Sequence, residues 1–359
     1  MSMRVLLITG SYPPMKCGVG SYTQRLAKAL TECYGVSVAV LTDFRASSKF
    51  FVDGVEVLPI VNGWTVSDLF NIAKYIKKSN PDVVHIQYPA QGYSGRVPIL
   101  LPLLVGILGK PCVQTWHEPL RGLSSVFLVI GLKELITVRL KLIHDLPKLT
   151  QLALQLTKFV WIPSASILPT VVLSDDEKFK LRKSYAAEKE FLLAYYGFLA
   201  PLKGIETLLE VVAKMNARLL MVCDIEYNND YHQSLLDKIK TLGVESLVTI
   251  TGFLPEYQLA AILAASDAVV LPFRDGAGKW NTSIDGAVAQ GTFVVSTSTD
   301  IFGYNEEKNI YYSRIGDVGD IVSAIKRHAG CHVSPKSSEL EWKDISEQHL
   351  NIYKRLTTA

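Results

Sequence analysis

Residues 267–297 constrain the fold more than any other part of this sequence, because they combine two buried-strand patterns with a polar loop and a helix start. Ala268–Leu271 and Phe293–Ser296 are short apolar runs without alternation, which is typical of strands covered on both faces. The loop between them leaves the carboxyl end of a strand, where open α/β sheets bind ligands. The segment therefore predicts a parallel sheet whose strand ends carry the function.

The loop and helix start after Leu271 have the residue types of a phosphate site. Asn281, Thr282 and Ser283 are good helix N-caps, and the free N–H groups and dipole of a helix start favour an anion. Other candidate residues of this loop are Arg274, Asp275, Gly276, Ala277, Gly278 and Lys279. Every α/β domain contains strand–loop–helix units, so an ordinary structural role is the alternative.

Length and composition restrict the class of protein. The 359 residues are enough for two domains, each with its own core. A net charge of +3, without a nucleic-acid-binding motif, argues against nucleic acid as a partner. Five cysteines without regular spacing predict reduced thiols in a cytoplasmic protein. Met3–Thr9 runs directly into a strand, so we expect no signal peptide, and the twelve-residue apolar run Val97–Leu108 is too short to span a membrane.

The first half alternates strands and helices, which predicts a doubly wound parallel sheet. The predicted strands are Arg4–Thr9, Val36–Leu41, Val55–Ile60, Val83–Gln87, Cys112–Trp116, Leu135–Leu140 and Phe159–Ser164, and the helices are Trp64–Lys77, Arg96–Leu108 and Leu146–Thr157. His117 follows a strand end, where it is placed either for chemistry or for a hydrogen bond within the loop, whereas His85 lies inside a strand and is interpreted as structural. Gly18 and Gly20 precede a helix, but Thr23 stands where a dinucleotide fingerprint has its third glycine.

After a linker, the second half repeats the alternation of strands and helices. Ser174 and Glu177 predict a capping box for a short helix in the connecting segment. Strands are predicted at Phe191–Tyr196, Arg218–Val222, Leu247–Thr251, Ala268–Leu271, Phe293–Ser296 and Ile310–Ser313, with helices between them. An amphipathic helix, Leu340–Leu356, ends the chain, with Trp342 and Tyr353 near its apolar face. We therefore expect domains at 1–163 and 164–339, followed by the terminal helix at 340–359.

Motifs along nearly the whole chain resemble the GT-B glycosyltransferases, and more narrowly the retaining family 4 enzymes that use nucleotide sugars. The matching segments are ITGSYPP, GVGSY, DVVHIQ, TWHEP, IPSASILP, YGFLAPLKG, TGFLP, LPFRDGAG, AQGTFVV and WKDISEQHLNIYKRL. The resemblance implies two tandem Rossmann-like doubly wound domains facing a cleft, the first on the acceptor side and the second binding the nucleotide sugar. It also implies that the terminal helix, residues 340–359, crosses back to the first domain.

The resemblance also assigns roles to the matching residues. Lys203 would pair with the donor diphosphate, and His117 would stabilise charge near the donor sugar. Backbone groups would contact the donor phosphate at Gly18 and Gly20 and the base at Gly252, Phe253 and Leu254. The diphosphate would lie against Thr282 and Ser283.

Two positions depart from the family pattern. Phe198 stands where relatives have an arginine, five residues before the Lys-Gly pair. Gly286 stands where they have the second glutamate, a ribose ligand, with Asp285 beside it, and Asp275 lies near the place of the first glutamate. Arg274 or Lys279 is a candidate to replace the cation, and Asp285 to replace the carboxylate, although Asp285 also suits the helix dipole and Asp275 a turn.

The predicted activity is transfer of a hexose-type sugar from a nucleotide diphosphate to a glycan or lipid-linked acceptor. The sequence has no Asp-x-Asp motif, so we expect no metal and no cofactor beyond the nucleotide-sugar co-substrate. Retention of configuration is implied by the resemblance alone. The alternatives are a non-catalytic GT-B protein that binds nucleotide or glycan, and a nucleotide-sugar 2-epimerase.

Apolar and basic residues at 96–110 and 133–148 predict peripheral membrane contact, with the inner face of the membrane as the alternative to a purely cytoplasmic location. Burial of Val97–Leu108 in the core would argue against that contact.

Overall fold

A computed structural model describes residues 2–46, 51–118, 123–138, 146–155, 157–278 and 281–358. The chain divides into two compact units. The first comprises Met1–Ser164 together with Glu339–Ala359, and the second comprises Ala165–Ser338.

The first unit is built on an eight-stranded sheet with the order β3-β4-β2-β1-β5-β6-β7-β8. Its strands are β1 (Arg4–Thr9), β2 (Ser37–Asp43), β3 (Phe51–Val52), β4 (Val55–Val61), β5 (Val83–Tyr88), β6 (Cys112–Trp116), β7 (Glu134–Thr137) and β8 (Lys158–Trp161). All neighbours run parallel except β3 and β4, which form an antiparallel hairpin at the edge. The carboxyl ends of the parallel strands therefore lie at one edge of the sheet.

Helices connect these strands. They are α1 (Gly18–Tyr34), α2 (Val66–Ser79), α3 (Leu101–Ile107) and α4 (Lys148–Leu154), with 3-10 turns at Val97–Leu100 and Leu123–Leu128. Pro98 and Pro102 lie in the first turns of the two short helical segments between 97 and 107, positions where the missing N–H costs nothing. Leu101 and Val105 are fully buried, so this segment packs one face into the core.

The second unit has a seven-stranded sheet with the order β11-β10-β9-β12-β13-β15-β14. Its strands are β9 (Leu192–Tyr196), β10 (Arg218–Val222), β11 (Val248–Ile250), β12 (Ala268–Leu271), β13 (Val294–Ser298), β14 (Gly303–Asn305) and β15 (Ile310–Arg314). Its helices are α5 (Asp175–Lys183), α6 (Ile205–Met215), α7 (Asp230–Thr241), α8 (Glu256–Ala265), α9 (Thr282–Ala289) and α10 (Val318–His328). Every residue of β9, β12 and β13 is buried, as the apolar patterns of β9 and β12 predict, whereas β13 ends in three buried hydroxyl residues, Ser296–Ser298.

The last helix, α11 (Ser338–Thr357), lies with the first unit from Glu339 onward. Its predicted apolar face is confirmed, because Trp342 and Tyr353 are buried. Arg355 pairs with Glu134, which is fully buried at the start of β7, and Tyr353 contacts His85 in the middle of β5. The helix is therefore anchored to the sheet of the first unit by polar contacts as well as by apolar packing.

The predicted fold class, α/β with two doubly wound sheets, is confirmed, and the differences are local. Both sheets carry a short antiparallel edge strand, β3 and β14, that was not predicted, because two or three residues show no periodicity. The strand predicted at Leu135–Leu140 ends at Thr137, and residues 139–140 lie outside the described part of the chain. The capping box at Ser174 and Glu177 is confirmed.

Candidate functional site

In the second unit, the loops that follow the neighbouring central strands β9 and β12 pack closely against each other. Gly204 has a φ of +67°, and a Cβ atom there would lie 1.9 Å from the carbonyl oxygen of Pro272. The N–H of Arg274 donates to the carbonyl of Leu202 at 2.9 Å. Only glycine fits this position, since any side chain would meet rigid backbone. The Lys203-Gly204 turn is thus held against the loop that follows β12.

The contact between these two loops positions Lys203. It ends a 3-10 turn, Pro201–Lys203, immediately before α6, and its N–H donates to the carbonyl of Ala200 at 2.9 Å. Its Nζ lies 4.9 Å from the ring centroid of Phe273, which is within the range of a cation–π contact. The structure therefore places a cation at the strand-end edge and holds its side chain against a buried aromatic ring.

Arg274, the candidate to replace the missing arginine, is already paired. Its Nη2 lies 2.9 Å from Oε1 of Glu206 in the first turn of α6. The hydroxyl of Tyr231 donates to Oε2 of the same carboxylate at 3.3 Å, and burial, followed by the charge of Glu206, raises the pKa of Tyr231 to about 12. The pair of Arg274 and Glu206 has no net charge, so it adds little positive potential for a diphosphate.

Backbone hydrogen bonds hold the loop that precedes α9. The N–H of Ala277 donates to the carbonyl of Thr297 at 2.7 Å, and that of Gly278 donates to Oδ1 of Asn281 at 2.8 Å. Asn281 is the N-cap residue, but its side chain makes no capping bond to the helix, contrary to the predicted capping role. Asp275 is exposed, and Lys279 lies outside the described residues. The helix begins at Thr282, with Ser283 in its first turn.

Tyr196 occupies the space beside Gly286. A Cβ atom at position 286 would lie 2.2 Å from the hydroxyl oxygen of Tyr196, which donates to the carbonyl of Ser283 at 2.6 Å. Burial raises the pKa of Tyr196 well above its usual value, and the nearby charge of Asp285 adds to this. The same carboxylate contributes, after burial, to the raised pKa of Tyr312. Tyr196 therefore fills the space that a side chain at position 286 would need.

Phe198, at the other departure from the family pattern, packs against the turn expected to contact the base. Its ring lies 5.4 Å from that of Phe253 in an edge-to-face arrangement. The N–H of Phe253 donates to Oδ1 of Asp224 at 3.3 Å. The turn Gly252-Phe253-Leu254 is therefore braced by Asp224, and one of its backbone donors is already in use.

In the first unit, Gly18 and Gly20 lie in the first turn of α1 and not before the helix as predicted, and they differ in what they serve. A Cβ atom at Gly20 would lie 2.9 Å from the carbonyl oxygen of Ser11, so the packing of this unit requires glycine there. One at Gly18 would meet no atom within 4 Å among the described residues. Gly18 is the first residue of α1, after the N-cap Cys17, whose side chain makes no capping bond. Open space beside a helix start makes Gly18 the better candidate for contact with a ligand.

His117 follows β6 directly and is partly buried. Its Nε2 lies 2.8 Å from Oε1 of Gln87 at the end of the neighbouring strand β5, and its N–H donates to the carbonyl of Tyr88 at 2.9 Å. The ring of Tyr22 packs edge-on against the imidazole at 4.8 Å. The sequence left open whether His117 serves chemistry or a hydrogen bond within the loop. The structure shows such a hydrogen bond.

Two family profiles match the chain, one on each half. Residues 17–159 match the profile described as Glycosyltransferase Family 4, and residues 190–329 match Glycosyl transferases group 1.

This chain belongs to the GT-B glycosyltransferases.

Solved structures of similar fold include other glycosyltransferases. One from Rickettsia africae is 16% identical with a TM-score of 0.71, covering 99% of this chain and 98% of its own. The Anabaena protein HepE, in complex with UDP and glucose, is 16% identical with a TM-score of 0.70, covering 99% and 100%. Starch synthase IV from Arabidopsis thaliana, bound to ADP and acarbose, is 14% identical with a TM-score of 0.70, covering 100% of both chains. No curated protein sequence matches this glycosyltransferase significantly.

The predicted site residues of the glycosyltransferase fall into separate groups. Lys203, Arg274 and Asp275 belong to loops that meet at the ends of β9 and β12 in the second unit, while His117 and the two glycines belong to the first. Sequence reasoning missed Glu206, Tyr196 and Gln87, whose signal was weak: each is a common residue type near a strand end or in a helix's first turn. Among the described residues, no group of three or more His, Cys, Asp or Glu side chains is arranged to hold a metal ion.

Proposed function

We propose that this glycosyltransferase transfers a hexose-type sugar from a nucleotide-diphosphate donor to a glycan or lipid-linked acceptor, with retention of configuration and without a metal ion. The observation that carries the proposal is the Lys203-Gly204 turn, locked against Pro272 at the carboxyl ends of the central strands. Support comes from HepE, a structural neighbour in complex with UDP-glucose, and from starch synthase IV, which is bound to ADP.

The chemistry requires stabilisation of the leaving group. Breaking the bond between the anomeric carbon and the diphosphate leaves an electron pair on a phosphate oxygen and positive charge on the sugar. In our proposal, the ammonium of Lys203 and the backbone N–H groups of Thr282 and Ser283 donate hydrogen bonds to the phosphate oxygens that gain negative charge. The acceptor hydroxyl attacks the same face of the sugar and gives its proton to the leaving phosphate oxygen. A fixed cation and a helix start supply this stabilisation without a metal.

His117 and Asp275 are our candidates for contact with the donor sugar. Neutral His117 can exchange hydrogen bonds with sugar hydroxyls, and a carboxylate at Asp275 can accept them and offset positive charge on the ring. We assign the base to the turn Gly252-Phe253-Leu254, where the exposed part of Phe198 offers a stacking surface.

Donor binding and turnover test the proposal directly. A panel of nucleotide sugars, led by UDP-glucose and ADP-glucose, should raise the melting temperature for one donor class. A binder at a hundred times its Kd adds about 2.7 kcal/mol of stability. Lys203→Ala should then lower turnover by about a hundredfold or more, because an ammonium facing the transition-state charge is lost. The matched control is Lys214→Ala, an exposed lysine near the other end of α6. Equal turnover of the two variants would place the diphosphate elsewhere.

Peripheral contact with anionic membranes is the second part of the proposal. A hollow of about 530 Å³ in the first unit is lined by apolar residues that include Ile107 and Ile130, which are 74% and 42% exposed. Lys110 and Lys133 line the same hollow. Exposed aliphatic side chains beside lysines suit an anionic lipid surface. Among the described residues, no helix has the length and apolarity needed to cross a bilayer.

Liposome flotation tests this contact. We expect the protein to float with vesicles that contain anionic lipid and to remain below with neutral ones. Ile107→Ser combined with Lys110→Glu should reduce flotation, whereas Ile301→Ser, an exposed isoleucine of the second unit, should not. Protein that never floats would refute the membrane contact. With reduced thiols at all five cysteines, we assign the enzyme to the cytoplasm, at the inner membrane face when it is bound.

A further inference from the structure

A continuous chain of buried polar side chains in the first unit links the C-terminal helix to His117. Oη of Tyr353 on α11 lies 2.6 Å from Nδ1 of His85 on β5. Nε2 of His85 lies 2.8 Å from Oγ1 of Thr115 and 3.1 Å from Nε2 of Gln87. The other end of the Gln87 amide, Oε1, lies 2.8 Å from Nε2 of His117. This series of hydrogen bonds therefore involves α11, β5 and β6 before it reaches His117.

The four side chains before His117 are almost completely shielded from solvent. His85, Tyr353, Thr115 and Gln87 are each 0% exposed. Because water cannot reach groups that are buried this completely, the hydrogen bonds of these side chains must be made with other protein groups. Their proton positions are consequently coupled to one another.

The amide of Gln87 sets the proton positions on both rings. Its nitrogen is a donor only, so the facing Nε2 of His85 carries the lone pair, which the hydroxyl of Thr115 also faces as a donor; His85 then carries its hydrogen on Nδ1, toward Oη of Tyr353. Its oxygen is an acceptor only, so the facing Nε2 of His117 must carry the hydrogen. The two histidines should therefore have opposite tautomers.

We propose that Gln87, held by His85 and by Tyr353 of the C-terminal helix, is a positioning residue that fixes His117 as its Nε2–H tautomer. The ring is then oriented from the protein interior, and Nδ1 is its hydrogen-bond acceptor. Resting on the proposed function, this makes His117 an acceptor of hydrogen bonds from a sugar hydroxyl. It also gives α11 a role in the site of the first unit that packing alone would not give it.

Changing Tyr353, at the far end of this series of hydrogen bonds, tests the proposal most directly. Tyr353→Phe removes the acceptor for His85 Nδ1–H, and a buried donor without an acceptor is unfavourable. His85 should then move its hydrogen to Nε2, which requires the Gln87 amide to turn over and present its nitrogen to His117. His117 should consequently change to the Nδ1–H tautomer, although Tyr353 makes no hydrogen bond to it.

The experiment is a long-range ¹H–¹⁵N correlation spectrum of the full chain labelled at histidine, with His117 assigned by His117→Gln. In the unmodified protein, we expect His85 as Nδ1–H and His117 as Nε2–H, and in Tyr353→Phe both assignments should reverse. Gln87→Glu should keep His117 as Nε2–H, because a carboxyl oxygen still accepts there. The matched control, Gln114→Leu, changes a buried glutamine on β6 that bonds to Trp116 and should leave both tautomers unchanged.

Two results would overturn the proposal. One is the same tautomer on both rings, or the reverse assignment, in the unmodified protein. The other is an unchanged His117 in Tyr353→Phe when His85 has changed, since this would show that Gln87 does not transmit the constraint.

Turnover separates this inference from the proposed function. Tyr353→Phe should lower kcat by about tenfold with little change in the KM of the donor, and Gln87→Glu should retain most of the activity. If the tautomers behave as expected but kcat is unchanged, the coupling is supported and His117 is removed from the catalytic residues. If no donor is turned over at all, the spectra still decide the coupling.

Discussion

Acid should destabilise the first unit through two buried histidines, His349 of α11 and His85 of β5. Their rings stack 5.5 Å apart, and both are 0% exposed. Burial lowers the pKa of His349 from 6.5 to about 4, although its hydrogen bond to the carbonyl of Ile345 opposes the shift. Burial, followed by the neighbouring rings of His349 and His117, lowers the pKa of His85 in the same direction.

The sign of the effect follows from proton binding. Both rings are neutral in the folded chain, but in the unfolded chain they bind protons as the pH falls through 6.5. Their contribution to stability is therefore complete above pH 6.5 and is lost as the pH falls below it, for His349 progressively toward pH 4. For His349, lowering the pKa from 6.5 to about 4 corresponds to about 3 kcal/mol.

Denaturant unfolding at several pH values measures this contribution. Of the five tryptophans, Trp280 alone lies in the second unit, so tryptophan emission mainly reports the first. Between pH 6 and 4.5 the free energy of unfolding should fall steeply. In His349→Gln, that slope should be smaller by about 1.4 kcal/mol per pH unit, the value for one proton.

The control is His328→Gln, a change in α10 of the second unit that should leave the slope seen by tryptophan unchanged. The slope, rather than the absolute stability, is the measured quantity, so a general loss of packing in His349→Gln does not affect the conclusion. An unchanged slope in that variant would refute the assignment of His349 as a buried neutral ring.

Three further predictions concern the second unit. Gly286→Ala should destabilise the protein by about 1–3 kcal/mol in a melting experiment, because its Cβ atom would collide with the hydroxyl of Tyr196, and adding Tyr196→Phe should recover part of the loss. Asp275→Asn should reduce kcat with little change in melting temperature, whereas Asp285→Asn should mainly weaken nucleotide affinity; the opposite pattern would reassign the acid of this loop. Transfer should persist in excess EDTA, and activity that is lost with chelator and restored by Mg²⁺ would rule out the metal-free mechanism.

The strand pattern of this protein was readable from local sequence. Buried parallel strands such as Ala268–Leu271 are uninterrupted apolar runs, and the turns after them contain glycine and capping residues, so both doubly wound sheets were predictable. The same local signals placed His117 at a strand end, whereas Lys203 was assigned only by the resemblance to the family. The short edge strand Gly303–Asn305 was not predictable, because its pairing depends on a neighbouring strand and not on its own residues.

The partners of the site residues were decided only by the tertiary structure. Nothing near Arg274 in the sequence indicates that Glu206 neutralises it, and nothing near Gly286 indicates that Tyr196, ninety positions earlier, fills the adjacent space. His85 was correctly interpreted as a buried strand residue, but its link through Gln87 to His117 requires two strands and a helix to come together. Periodicity records which face of an element is buried, whereas hydrogen bonds and steric contacts between distant segments depend on distances that exist only after the chain has folded.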